Sequence, residues 1–214
     1  MQRGRPVFGT ATMFLTLALG AWWATPLAAT GPATARADTA VFAGGCFWGI
    51  EAVFEHIRGV NRAVSGYSGG TVADPSYELV SSGRTGHAES VMVIFDPTRV
   101  SYVELLEVFF KVAHDPTQLN RQGPDVGTQY RSAIFAKTTE QQTEAESYVA
   151  ELTRERLYQR PIVTAIEPFR AFYAAESYHQ GYLASHRTQP YIVYNDLPKL
   201  GALKREFPAL YREP

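Results

Sequence analysis

The sequence predicts an α+β fold: a two-layer α/β sandwich with a split β-α-β (ferredoxin-like) core, a mostly antiparallel sheet and a long irregular C-terminal segment. Three observations carry that reading. Apolar runs of strand and helix periodicity follow one another in the order β-α-β-β-α-β, with additions. Gly-, Asp- and Pro-rich turns bound those runs, and after the leader there is no repeat, low-complexity stretch or internal boundary.

The first strand is Thr39-Ala40-Val41-Phe42-Ala43, a short apolar run. A helix follows, with Ile50, Val53, Phe54 and Ile57 at helical spacing, and Gly44-Gly45 form the turn between the two. Val60 to Tyr67 reads as the second strand, ended by Gly66-Tyr67-Ser68-Gly69-Gly70 and Asp74-Pro75. Tyr77 to Val80 suits a short helix. The clearest strand is Ser90 to Phe95, stopped by Asp96-Pro97. Ser101 with Glu104 makes a capping box ahead of a helix carrying Leu105, Leu106, Val108, Phe109 and Val112. His114 to Gln129 is too polar and irregular for either regular element, and long ordered loops of that kind often carry function. Tyr130 to Phe135 is a further strand, Thr138 with Gln141 caps a helix to about Leu157, and Pro161 to Ile166 is the last strand. Beyond Glu167 only Tyr178 to His186 looks helical, and Gln189 to Pro214 is expected to wrap the surface.

Ahead of these elements, Arg3 and Arg5 precede an apolar run from Ala11 to Ala24, and Ala35-Arg36-Ala37 fits a small-residue cleavage site. Residues 1–37 are therefore expected to be a signal peptide, leaving 38–214 as one domain in a periplasmic or secreted protein. The apolar run is shorter than the ~20 residues a membrane span needs, so no stable membrane association is expected after cleavage. A formal net charge of −1 gives no basic field for nucleic acid. One cysteine and five histidines without an H-E-x-x-H pairing give no metal site, and no G-x-G-x-x-G stretch supports a dinucleotide cofactor.

That one cysteine, Cys46, sits where the first strand hands over to the first helix. A helix N-terminus stabilises a thiolate, so a lowered thiol pKa is expected there. Phe47 and Trp48, directly after the glycine turn, suit an apolar pocket for a small hydrophobic group. The partners such a nucleophile needs depend on the reaction. Attack on a carbonyl calls for a histidine base, with His87 or His179 as candidates. Attack on a sulfoxide sulfur calls for a carboxylic acid to protonate the departing oxygen and for hydroxyls to polarise the S=O bond. Glu89 enters an otherwise apolar strand and would be kept protonated by burial. Glu51 is its rival, read here as a surface charge compensating the helix dipole. A third possibility is a module that only binds thioether ligands at the aromatic pair.

Gly44-Gly45-Cys46-Phe47-Trp48-Gly49, Gly66-Tyr67-Ser68-Gly69-Gly70, Gly86-His87-Ala88-Glu89 and Asp125-Val126-Gly127-Thr128-Gln129-Tyr130-Arg131-Ser132 occur in that order. With them the chain resembles the A-type peptide methionine sulfoxide reductases from about Thr39 to His186. The resemblance implies reduction of methionine S-sulfoxide, free or in proteins, as a repair of oxidised proteins. It implies Cys46 as nucleophile, Glu89 as acid, Tyr77 and Tyr130 as hydroxyl donors, Phe47 and Trp48 as the methyl pocket and Asp125 as a substrate or network anchor, with His87 and His179 in support of the network. The chain departs from many members in lacking a resolving cysteine, near Ser81 or in the tail. An external thiol, thioredoxin-like or glutaredoxin-like, is then the expected reductant, with no other cofactor and with the protein a monomer.

Overall fold

The computed structural model describes residues 37–214 together with Met1, Gln2, Gly4 and Gly9; the leader assigned above otherwise lies outside the described residues. Residues 37–214 lie within one compact unit. Its first strand, β1 (Asp38–Gly44), leads into α1 (Phe47–Glu55), which crosses to β2 (Val60–Ser68). A short α2 (Tyr77–Ser81) precedes β3 (Ala88–Phe95). β3 lies between β1 and β2 and runs antiparallel to both, so β1 and β2 are parallel to each other: a split β-α-β arrangement.

α3 (Tyr102–Val108) starts from the expected capping box, in which the Ser101 N–H donates to Glu104 at 2.7 Å and the Glu104 N–H to Ser101 at 3.2 Å. It continues as a π-helical turn over Phe109–Ala113. The following loop, expected to be irregular throughout, instead carries a small hairpin of β4 (Arg121–Gln122) and β5 (Asp125–Val126). β6 (Ser132–Ala136) pairs with β1, and α4 (Thr139–Arg154) begins at the Thr138 cap. β7 (Ala165–Pro168) lies parallel to β6, and β8 (Phe172–Ala174) adds to the free edge of β2. The sheet order is thus β7-β6-β1-β3-β2-β8.

β1 shows why the central strands read as continuous apolar runs. Ala40 and Phe42 face the helices, where Phe42 stacks on Phe54 at 5.1 Å and on Phe109 at 4.9 Å. Val41 and Ala43 face the other way, into a smaller cluster with Phe135, covered by Phe169 and Phe172. Both faces are therefore buried.

Three further expectations are corrected. The last predicted strand is displaced: Val163 donates its N–H to the Pro116 carbonyl at 2.8 Å, so the chain pairs with the loop first and reaches the sheet only at Ala165. The C-terminal segment is more regular than its proline content suggests. A short α5 (Tyr182–Ser185), a π-helical turn over Ile192–Asp196 and α6 (Leu197–Glu206) follow β8, and α6 packs on α1. Pro198 stands in the first turn of α6, where its missing N–H breaks no helical bond. The tail then clasps the far end of α1: Arg212 donates to the carbonyls of Glu55 and Val60.

Glu51 is the third correction. It is 2% exposed, accepts from the Ser65 hydroxyl at 2.9 Å and the Gly181 N–H at 3.2 Å, and so joins α1 to β2 and to the start of α5. Burial pushes its carboxyl up to about 7. The native state therefore keeps a proton that the unfolded chain loses, and stability falls as pH rises from about 4.5 to about 7. Glu51→Gln should remove that dependence, so its melting temperature should decline less than wild type over this window. Parallel slopes in thermal melts of the two proteins would refute the assignment.

Candidate active site

The site begins at the turn between β1 and α1. Gly45 has φ of 102°, a conformation that favours glycine, and a Cβ there would lie 2.5 Å from Gln122 of β4. The hairpin thus closes directly over the turn, with the Gln122 amide held by both backbone groups of Asp115. Cys46 is the N-cap residue of α1. The next N–H, of Phe47, donates to the Glu89 carboxylate oxygen Oε2 at 3.1 Å. An acid from the central strand therefore meets one of the unpaired donors that every helix N-terminus presents.

Glu89 is 2% exposed, and burial pushes its carboxyl up to about 8, with Asp125 adding to the rise and the Phe47 N–H opposing it. At neutral pH it is a protonated acid. Cys46 contradicts the expectation of a depressed thiol. Only 8% exposed, it is raised well above the ordinary range by burial, then by Glu89 and Asp196; the Trp48 N–H and Lys199 oppose without prevailing. The partial charge of a helix terminus is worth about 1 kcal/mol, less than the cost of desolvating a thiolate. At rest Cys46 is a neutral thiol.

Two aromatic walls follow. Phe47 is buried with its ring 5.0 Å from His179. Trp48 is half-buried, stacks on Tyr182 at 3.8 Å, meets Tyr191 edge-on and donates its indole N–H to Nδ1 of His179 at 3.1 Å. Tyr77 lies 4.6 Å from the same imidazole, ring to ring, and its N–H donates to Glu176 at 2.9 Å. The other Glu176 oxygen accepts from the Tyr67 hydroxyl. Tyr130 ends a 3-10 turn just after the hairpin. Burial raises both Tyr77 and Tyr130, and Glu89 and Cys46 raise each further, so both phenols lie within electrostatic reach of acid and sulfur. Asp125, on β5, accepts from the Tyr191 hydroxyl.

The structure thus brings Cys46, Glu89, Tyr77, Tyr130, Phe47, Trp48, Asp125 and His179 together. His87 lies elsewhere in role: its ring bonds the Gly70 N–H at 3.1 Å and the Val72 carbonyl at 2.8 Å, shaping the loop after β2. Neither histidine is free to serve as a hydrolytic base through Nδ1. Sequence reasoning missed Tyr191, Tyr182, Glu176, Asp196 and Lys199, all supplied by the segment after β8. Among the described residues no cluster of three or more His, Cys, Asp or Glu is placed to hold a metal.

A thiol and a carboxylic acid buried together at one helix N-terminus, inside an aromatic cup, fit an enzyme of sulfur redox chemistry. Comparison with known proteins gives the particular family. Residues 38–209 match the model of the peptide methionine sulfoxide reductase family. The chain is 59% identical to the peptide methionine sulfoxide reductase MsrA 2 of Mesorhizobium japonicum over 82% of this chain and 90% of that one. Its fold matches Mxr1 of Saccharomyces cerevisiae in reduced form, with a TM-score of 0.66 and 34% identity over 73% of this chain and 90% of that one. Methionine sulfoxide reductase A of Corynebacterium diphtheriae gives a TM-score of 0.64 and 36% identity over 74% and 78%. The chain belongs to the peptide methionine sulfoxide reductase family and is a reductase of methionine sulfoxide.

The acid assignment is open to test. Glu89→Gln should slow single-turnover reduction of a methionine sulfoxide by about 10²–10⁴, the usual worth of a general acid. It should also remove a protonated-carboxyl infrared band that titrates near pH 8. Glu51→Gln should leave both nearly unchanged, and equal rate losses in the two variants would show the wrong glutamate was chosen.

Proposed function

We propose that the chain reduces the S epimer of methionine sulfoxide, free or in oxidised proteins, with Cys46 as nucleophile and Glu89 as acid. The observation that carries the reading is the bond from the Phe47 N–H to Glu89, which fixes the acid beside the sulfur at one helix N-terminus. Phe47 and Trp48 receive the substrate methyl group, and Tyr77 and Tyr130 donate to the sulfoxide oxygen while Glu89 protonates it. Asp125, held by Tyr191, anchors the rest of the substrate. Acid on one side and methyl pocket on the other select one configuration at sulfur.

The Cys46 sulfur attacks the substrate sulfur, and the oxygen passes to Cys46 as the thioether leaves. The proton released by the thiol restores Glu89. The products are methionine and a sulfenic acid on Cys46, so the substrate sulfur is reduced by two electrons and the cysteine sulfur oxidised by two. No second thiol in this chain condenses with it. Two equivalents of an external thiol return Cys46 to the thiol, releasing water and one disulfide. A dithiol protein of the thioredoxin or glutaredoxin type, acting through a mixed disulfide, suits that step. Every group invoked comes from one chain, so a monomer suffices. We also place the protein in the periplasm or outside the cell, with residues 1–37 as its leader. Support comes from the leader's composition and from β1 and the family match both beginning at residue 38.

A single turnover without reductant should release one methionine per enzyme and add one oxygen to the intact mass, and Cys46→Ser should do neither. Recovery of a Cys46-linked dimer in place of the oxygen adduct would show that a second copy of the chain resolves the intermediate. N-terminal sequencing of protein from fractionated cells should begin near Asp38, and an intact Met1 in the cytosol would refute export.

A further inference from the structure

Glu176 follows β8 and opens the 3-10 turn Ser177–His179. One of its carboxylate oxygens accepts the Tyr77 N–H at 2.9 Å, the other accepts the Tyr67 hydroxyl at 2.9 Å, and its carbonyl accepts the His179 N–H at 2.9 Å. A single residue thus holds the start of α2, a buried phenol of β2 and the turn whose imidazole receives the Trp48 indole. Burial works to raise its carboxyl, but the Tyr77 N–H, its own N–H and the Tyr67 hydroxyl outweigh burial and keep it below the usual range. Unlike Glu89, it is an anion that accepts hydrogen bonds.

Tyr77 needs such a hold. α2 has five residues, too few for a helix to sustain itself, and Val80 is its one buried residue. At its far end the Gln129 amide donates to the Ser81 carbonyl at 3.3 Å, a long and neutral bond. Tyr77 is the first residue of α2, so its N–H has no helical acceptor, and Glu176 supplies a charged one. Tyr67, the second partner, is fully buried, stands opposite Glu89 in the pairing of β2 with β3, and has its ring 6.0 Å from Phe47. The two bonds therefore fix Tyr77 against the strand beside the acid. We propose that Glu176 is a positioning residue for the reduction: by holding the Tyr77 N–H and the Tyr67 hydroxyl at once, it keeps the Tyr77 phenol where it donates to the sulfoxide oxygen, without itself touching substrate. The inference rests on Tyr77 and Tyr130 acting as the hydroxyl donors of the reaction given above.

The test places Glu176→Ala in two full-length backgrounds that each keep one of the two phenols. In Tyr130→Phe, where Tyr77 is the remaining donor, it should slow single-turnover formation of methionine by about tenfold to a hundredfold, the cost of a displaced donor. In Tyr77→Phe, where no phenol is left for Glu176 to position, it should change the rate by less than about twofold. Glu176→Gln should stay within about threefold of its background in both, because an amide oxygen still accepts the Tyr77 N–H. If Glu176→Ala does not fold, Glu176→Ala/Tyr67→Phe, which leaves no orphaned hydroxyl, takes its place. Equal slowing in the two backgrounds marks a merely structural role and overturns the proposal. So does an unchanged rate in the Tyr130→Phe background, or a glutamine variant as slow as alanine. A Tyr77→Phe/Tyr130→Phe chain as fast as wild type is a different failure: it removes both phenols from the reaction given above, and the positioning role falls with them.

Discussion

The bond between the Phe47 N–H and the Glu89 carboxyl joins the start of α1 to β3. It pins the first turn of α1 to the central strand, and it does so inside the protein, where Glu89 is nearly inaccessible. Everything around it is compatible with a neutral acid and a neutral thiol. Ionising either one alone in that volume is costly, whereas moving a proton toward an arriving oxygen creates no net charge. The resting site is therefore quiet, and its chemistry waits for a substrate whose polar S=O group replaces the missing solvent. This also accounts for the ring of phenols, which supply donors without adding charge.

Much of this was legible in the sequence, for reasons that are local. The glycine turn, the caps at Ser101 and Thr138 and the apolar run of β3 are each decided by residues within a few positions of one another. What the sequence hid depends on tertiary burial. The helix N-terminus at Cys46 is visible in a linear pattern and argues for a lowered thiol pKa; the burial and the carboxylates that reverse the sign come from β3 and from residues about 150 positions away. Glu51 misled in the same way, since nothing near it in the chain announces that Gly181 and the Ser65 hydroxyl close over it.

The segment after β8 was the least legible part and contributes much of the site. Tyr191 reaches Asp125, Glu176 bridges Tyr67 and Tyr77, and Tyr182 and His179 fix the indole of Trp48. Tyr191 and Glu176 lie in no periodic run, and His179 and Tyr182 fall in a stretch that reads only as a helix. Proline at positions 190 and 198 looks like an interruption, yet one opens the π-helical turn and the other the first turn of α6. The tail then returns to the far end of α1 through Arg212, so the catalytic helix is held at both ends by the last third of the chain.

The packing of Trp48 makes the protein optically self-reporting. Residues 38–214 contain no other tryptophan. Its indole lies flat on Tyr182 and gives its N–H to an imidazole whose other nitrogen is buried without a partner. Tryptophan emission from that region therefore originates at the wall of the aromatic cup alone. Filling the cup, oxidising the neighbouring sulfur or docking a reductant over it each alters the quencher or the polarity around a single fluorophore, and the catalytic cycle is written in its colour and brightness without a dye.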